Sequence, residues 1–410
     1  MFNLSILQRV KRRKKWLFHA RDFYSLMYLN FTFCKIFGIF PYKLKTSTFE
    51  ISKSRCVVLI IITCAICVYE LIMFYKVNFS EKIRLEVPKI IMYNFHFLLG
   101  VITVVVWCVL SGPRMRLLQR IQDISSILSS ESYQRLSKLI HAKDILGILC
   151  ILWPILTKFL NTSDMVVSTS FEPLRFYIAI IAFQIDMLYM NCTCVLMAYF
   201  KEINNNLENL RKFIVNDVFK LIVFKSYHEQ RILLTKLKAL KKRHLMVSDI
   251  VQMLNLTFSL QLLITIAMAF KQITFFLYFH IVQWQDGITI SLNNKNNDLF
   301  LSQLIYYVVK ITLIVWACEI GKNQAAKICT TVHDVLNITT DKQIKHELRL
   351  FSLQILHCEN TFSPKGLAVD AKLFTTMINT ITTYLLILIQ FLGASHSCDR
   401  KFETDVTKAI

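Results

Sequence analysis

The chain has 410 residues, 54% of them hydrophobic, with eight glycines, six prolines and a formal net charge of +21 from 48 basic and 27 acidic side chains. A soluble domain of this length carries more turn residues and fewer apolar ones, so the composition excludes that class and points to repeated membrane crossings. The positive charge lies between apolar runs and not on one soluble face, which argues against nucleic acid as a partner and for membrane lipid with an anionic inner leaflet.

In chain order, residues 1–55 are basic and aromatic, with Lys11 to Lys15 followed by Trp16, Phe18, Phe23, Tyr24, Tyr28, Phe31 and Phe33. The pattern predicts a cytoplasmic region whose helix lies on the inner leaflet or packs under the bundle. The basic cluster follows a short mixed segment instead of preceding an apolar core, so no cleavable signal peptide is expected.

Seven apolar runs then approach or exceed spanning length: Cys56–Tyr75, Ile90–Leu110, Ile145–Leu160, Phe176–Phe200, Met246–Phe279, Leu299–Ile320 and Leu373–Leu392. Spans one to four fall in 56–200 and spans five and six in 246–320. The third is short and carries Pro154, which predicts a kink that neighbouring helices can accommodate. Residues 201–245 and 321–372 alternate apolar and charged side chains at helical spacing, so both are read as cytoplasmic helical extensions, with Asp341 as an N-cap in the second.

Charge counting sets the orientation. Lys plus Arg number 12 in 1–55, 6 in 111–144, 11 in 201–245 and 7 in 321–372, against 4 in 76–89, 1 in 161–175, 1 in 280–298 and 3 in 393–410. The bias places the N-terminus in the cytoplasm and, after seven crossings, an extracellular tail at 393–410. The sequons at Asn78 and Asn161 fall in the loops expected outside. This orientation is opposite to that of G-protein-coupled receptors. No Asp-Arg-Tyr follows the third span and no Asn-Pro-x-x-Tyr lies in the seventh.

The twelve cysteines lie mostly within spans, where small soft side chains pack well, and only Cys398 falls in a segment expected outside, so no disulfide framework is expected. Cys192-x-Cys194 lacks the spacing and histidine partners of a zinc site. No nucleophile–base pattern, phosphate loop or metal motif is present in the sequence, so the chain is read as a non-enzyme without metal or cofactor.

Ionisable groups inside spans are costly and need partners. Asp186 in span four, with Gln184 nearby, and Lys310 at similar depth in span six either line a small polar ligand cavity or form a structural ion pair. Trp107, Trp153, Phe183, Tyr189 and Tyr306 are aromatic candidates for the wall of that cavity, with plain packing as the alternative for each.

The final span carries a polar line on an apolar helix. Thr376, Thr380, Thr383, Ile387 and Gln390 recur at spacings of four, three, four and three, and so share a face. Tyr384 and Phe391, seven apart, share the neighbouring one. The line is either packed, with threonine hydroxyls bonded back to helix carbonyls, or it is the wall of a pore.

The nine residues Thr383-Tyr384-Leu385-Leu386-Ile387-Leu388-Ile389-Gln390-Phe391 resemble the C-terminal signature of insect gustatory receptors. The run Phe351-Ser352-Leu353-Gln354-Ile355-Leu356-His357 and Phe37-Gly38-Ile39-Phe40-Pro41 resemble the same family. The loop Ser363-Pro364-Lys365-Gly366-Leu367 departs from its usual pattern. The resemblance implies an all-α membrane protein of seven transmembrane helices, N-terminus inside, in the plasma membrane of chemosensory neurons. It implies a tetramer of like or related subunits, joined by the cytoplasmic extensions, with the seventh span of each around a cation pore gated at Gln390 and Phe391. It also implies a small-molecule tastant, bitter or unassigned, bound within each subunit. A seven-span receptor that signals through a cytoplasmic partner and a small-molecule transporter remain alternatives.

Overall fold

The computed structural model describes residues 20, 22–45, 48–80, 87–125, 128–161, 172–219, 227–285, 295–363 and 369–408, with side chains omitted at several helix ends and over 391–408. The loop 364–368, the basic cluster at 11–15 and the serine of the second sequon lie outside the described residues.

The elements are α1 (Phe23–Leu26), α2 (Tyr28–Ile36), β1 (Tyr42–Lys45), β2 (Thr48–Ile51), α3 (Lys53–Phe79), α4 (Val87–Val109), α5 (Ser111–Asp123), α6 (Ser130–Asn161), α7 (Glu172–Phe219), α8 (Tyr227–Gln285), α9 (Lys295–Ile338), α10 (Lys342–His357) and α11 (Ala371–Lys408). Among the described residues, seven helices are long and apolar enough to cross a membrane: α3, α4, α6, α7, α8, α9 and α11. They match the seven runs read from sequence, but five of them, α6, α7, α8, α9 and α11, run well past the spanning length. Each of α7, α8 and α9 continues unbroken into the amphipathic segment beside it; no Gly or Pro stands at the junction in α7 or α8, and in α9 the helix runs on through Gly321. The helix α6 likewise continues through Pro154, and the Thr157 hydroxyl donates to the Trp153 carbonyl 3.1 Å away.

The helix α7 is the centre of the bundle. In its most apolar window 83% of residues are buried, the largest share of any span. It packs against α9, α8 and α6, with Tyr189, Tyr199 and Phe200 fully buried along it. Gly147 lets α6 approach α7 closely, since a Cβ there would lie 2.0 Å from Met187 Cε and 2.9 Å from the Phe183 ring. On the far side α10 docks under α8 and α9. Asp341 caps it, accepting from the backbone N–H of Gln343 and Ile344, and Ile344, Leu348 and Phe351 bury its inner face. Lys241 on α8 holds Glu347 at 2.6 Å.

Of the two readings of the N-terminal region, on the leaflet or packed under the bundle, its described part shows packing against the bundle. Its described part folds into the bundle beside α7. Asn30 donates to the Gln184 carbonyl at 3.2 Å and to Gln184 Oε1 at 3.3 Å, and Tyr177 donates to the Phe37 carbonyl at 2.9 Å. Phe23, Leu26, Met27 and Phe31 are buried. Of the described aromatic residues in that stretch, Phe23 and Phe31 serve packing, and a buried asparagine ties the turn to a spanning helix. Gly38 ends α2 at φ 68°, a left-handed conformation that a side chain would strain. An antiparallel hairpin, β1–β2, follows with Tyr42 opposite Ile51, and among the described residues the other regular elements are all helices. Asn78 sits in the last turn of α3, not in a loop, and exchanges amide hydrogen bonds with Asn94 at 2.8 and 2.9 Å.

Candidate functional site

Two places gather the polar residues of the bundle. The first is a cavity between α4, α7, α8 and α9 with about 430 Å³ of unfilled space, part of it open to the surroundings. Ile178, Ala179 and Ala182 come from α7, Gln261, Ile264, Thr265 and Met268 from α8, Tyr306, Tyr307 and Lys310 from α9, and His96 and Thr103 from α4. Each helix contributes residues three, four or seven apart, as one face of a helix must.

The inner end of the cavity is closed by a salt bridge. Lys310 Nζ lies 2.7 Å from Asp186 Oδ2, and both side chains are buried. Thr265 Oγ1 lies 3.0 Å from each Asp186 oxygen, and Lys310 Nζ also stands 5.9 Å from the centre of the Tyr306 ring. Neutralising two charges inside a bilayer needs such a pairing. Lys310 faces the cavity while Asp186 stands behind it, so the ion pair and the cavity wall are one feature. Next to the pair is Gln261, fully buried, whose amide acts on the Asp186 carboxyl without a well-aligned hydrogen bond to it. His96 Nε2 is likewise unpartnered.

The sequence candidates divide accordingly. Lys310 and Tyr306 line the cavity, Asp186 backs it, and Phe183 packs on Tyr306 with ring centres 6.4 Å apart. Gln184 faces the other way, towards Asn30. Tyr189 is core, its hydroxyl 3.2 Å from Cys318 Sγ, and Trp107 donates its indole N–H to the Ile39 carbonyl. Trp153 is 57% exposed on the outer surface of α6 and does not line this cavity. His96, Gln261, Thr265 and Tyr307 were not singled out by sequence. A signal existed for one helix: Thr257, Gln261 and Thr265 form a polar line at spacing four in an apolar span.

The second place is α11. Its main partner is α8, against which Leu373, Met377 and Ile381 are buried. Only 17% of its apolar window is buried, the least of the seven. The line Thr376, Thr383, Ile387 and Gln390 is exposed and Thr380 half-exposed, about a quarter turn from the buried edge. Thr376, Thr380 and Thr383 each donate to the carbonyl four residues back, at 3.1, 2.7 and 2.9 Å. Their second lone pairs remain turned outward. Tyr384 meets Phe270 of α8 edge to face at 5.8 Å. The side chain of Phe391 lies outside the described residues; the helix continues through Lys408 where a tail was expected.

Comparison with known proteins decides the family. Residues 27–392 match the model described as 7tm Chemosensory receptor. The chain belongs to that family. Among curated relatives, this chemosensory receptor is 30% identical over 156 residues to the Drosophila melanogaster protein named gustatory receptor 28b, covering 37% of this chain and 33% of that one. It is 34% identical over 173 residues to gustatory receptor 28a of the same organism, covering 40% and 37%. The match spans about a third of the length of those relatives. Among solved structures, the insect olfactory receptor OR5 from Machilis hrabei in complex with eugenol superposes with a TM-score of 0.64 at 12% identity, covering 89% of this chain and 97% of that one. A second structure of the same receptor gives 0.61 at 14% identity, covering 95% of this chain and 99% of that one. At these identities the structural likeness shows a shared fold.

Proposed function

We propose that this chemosensory receptor is a subunit of a tastant-gated, non-selective cation channel in the plasma membrane of chemosensory neurons. The supporting observation is the double role of α8. One face of it supplies Gln261, Ile264, Thr265 and Met268 to the cavity, and a residue within the next turn, Phe270, packs on Tyr384 of α11. The polar line of α11 is uncovered in a single chain, as a surface facing copies of itself around an axis must be. Four such helices, with Thr376, Thr380, Thr383, Ile387 and Gln390 towards the axis and Phe391 beside them, make a wetted path that narrows at its apolar rungs. The N-terminus is cytoplasmic and the tail outside, in line with the charge bias.

A small molecule in the cavity shifts α8, and through Phe270 the α11 helices, only to the extent that it binds the open arrangement better than the closed one. Four sites add their contributions, so a modest preference at each suffices. The eugenol complex of the structurally similar olfactory receptor supports a small-molecule ligand. The residues do not favour a sugar over other tastants, and a bitter or unassigned ligand is proposed. The test is ionic current from this chain alone in a heterologous membrane on exposure to a tastant panel. Tastant-evoked cation current is expected; signalling that requires an added cytoplasmic partner, or saturable uptake without conductance, would overturn the channel.

A further inference from the structure

Gln261 belongs to the cavity lining, and neither its amide oxygen nor its amide nitrogen has a hydrogen-bond partner, although the side chain is fully buried. Of the other polar lining residues, Thr265 and Lys310 are turned to Asp186, at 3.0 and 2.7 Å, and Thr103 donates to the Leu99 carbonyl at 2.7 Å. The Gln261 carbonyl is therefore an acceptor that these donors leave unserved, in a span where water is scarce. The walls beside it are apolar: Ala182, Ile264 and Met268, with the rings of Tyr306 and Tyr307, which meet edge to face at 4.9 Å. Among the described residues, the one Lys, Arg, Asp or Glu in the lining is Lys310, and Asp186 balances its charge. The Glu70 carboxyl stands outside the lining, where a Cβ added at Gly100 would lie 3.7 Å from it and from Ile178.

A primary amide offers a C=O and an N–H side by side along one edge. A cis-amide answers both at once, because its own N–H and C=O run in the opposite order. A bridging water also answers the amide, but it leaves the apolar walls uncovered. We propose that the cavity takes a neutral, flat lactam carried on a fused ring, and that Gln261 is the residue that selects it. The lactam edge pairs with the Gln261 amide, and the ring lies among Ala182, Ile264, Met268 and Tyr306. A charge on the ligand gains nothing from the lining, since Lys310 already has its anion. The inference rests on the cavity being the ligand site, and it names the ligand's chemical class.

The test measures binding without current. The full chain, purified in lipid nanodiscs, is titrated calorimetrically with four probes. These are 2-quinolinone, its lactone isostere coumarin, 1-methyl-2-quinolinone and the cation of 1,2,3,4-tetrahydroisoquinoline. Coumarin keeps the shape and the carbonyl of 2-quinolinone and lacks only the N–H. The lactam is expected to bind about tenfold more tightly than coumarin or the N-methyl compound, because each of these leaves the Gln261 carbonyl unpaired, and the cation is expected to bind most weakly. Gln261→Met should bring 2-quinolinone to the level of coumarin while leaving coumarin's own Kd unchanged, a pattern that general loosening of the bundle does not produce. Isotope-edited infrared spectra of carbonyl-labelled 2-quinolinone should show its stretch lowered on binding to the parent chain and not to Gln261→Met. The comparison of lactam with lactone is made on the unaltered chain, so it needs no variant to fold. No binding of 2-quinolinone, equal binding of coumarin, a preference for the cation, or a lactam preference retained in Gln261→Met each overturns the proposal. Current measurements separate it from the channel reading. A lactam that binds in preference to the lactone without opening any conductance contradicts the channel and leaves the ligand class standing. Lactam and lactone that bind equally and evoke equal currents do the reverse.

Discussion

Phe270 of α8 and Tyr384 of α11 meet edge to face, ring centres 5.8 Å apart at 78°, on the side of α11 that buries Leu373, Met377 and Ile381. Tyr384 is 51% exposed, so this contact is made at the margin of the helix and not in a core. It joins a helix that lines the cavity to the helix with the uncovered polar line. An aromatic pair of this geometry contributes about 0.5–1.5 kcal/mol beyond area burial. Replacing either ring by Leu should therefore shift the ligand concentration for half-maximal current by about two- to tenfold, with binding in detergent unchanged. The double variant should be no worse than the more affected single one, and additive shifts would show that the rings act separately.

The buried pair Asp186–Lys310 makes a stability prediction. Asp186→Asn leaves the Lys310 ammonium enclosed without its anion, which typically costs about 3–5 kcal/mol. The melting temperature of the purified receptor should fall sharply, and the charge-free double variant Asp186→Leu with Lys310→Met should recover most of the loss. If Asp186→Asn melts like the parent and changes only ligand response, the pair is a ligand contact and not a structural one.

Gly321 on α9 faces the Phe362 ring, and a Cβ there would lie 2.7 and 2.8 Å from two ring carbons. A ring held in a packed site cannot give way as a flexible chain end does, so Gly321→Ala should destabilise by about 1–3 kcal/mol. Gly112→Ala is the matched control, since nothing lies within 4 Å of its added Cβ. Equal melting temperatures for the two variants would show that the 358–363 segment does not pack as described.

The docking of α10 carries a pH dependence. The Lys241 hydrogen bond, with Lys238 3.6 Å away, holds the Glu347 carboxyl below the usual carboxylate range, outweighing partial desolvation. A carboxyl lowered in the folded state stabilises fully above its unfolded pKa, and that contribution is lost as pH falls through the lowered folded value. The protection of α10 amides, measured against the intrinsic exchange rate at each pH, should fall on acidification below the ordinary glutamate pKa, and Glu347→Gln should remove that part of the pH dependence. An unchanged profile in the variant would assign the docking to Ile344, Leu348 and Phe351 alone.

Much of this was legible in the residues. Long apolar runs announce spans because an unpaired backbone cannot cross lipid, and all seven fall on the helices found. The cost of a charge in such a run singled out Asp186 and Lys310, 124 positions apart, which the fold brings to 2.7 Å. Azimuth is harder to read. Trp153 and Trp107 are both aromatic residues in spans, yet one faces outward and the other binds the Ile39 carbonyl, because facing is set by the partner helix. His96 and Gln261 pass unnoticed for the same reason. The N-terminal turn was only half legible: Phe23 and Phe31 fitted a helix on the leaflet or one packed under the bundle, Asn30 drew no notice, and the contacts with α6 and α7 show packing.

The central claim is that the Thr376–Gln390 face of α11 borders the ion path. Gln390→Cys and Ile378→Cys place a thiol on that face and on the opposite flank of the same helix, where Ile378 is 62% exposed. The measurement is tastant-evoked current before and after an external, membrane-impermeant cationic thiol reagent, with the parent chain as reference. The expected result is a large, ligand-dependent loss of current in Gln390→Cys and none in Ile378→Cys or the parent. Current untouched in Gln390→Cys, with the thiol shown by mass to be modified, would contradict it.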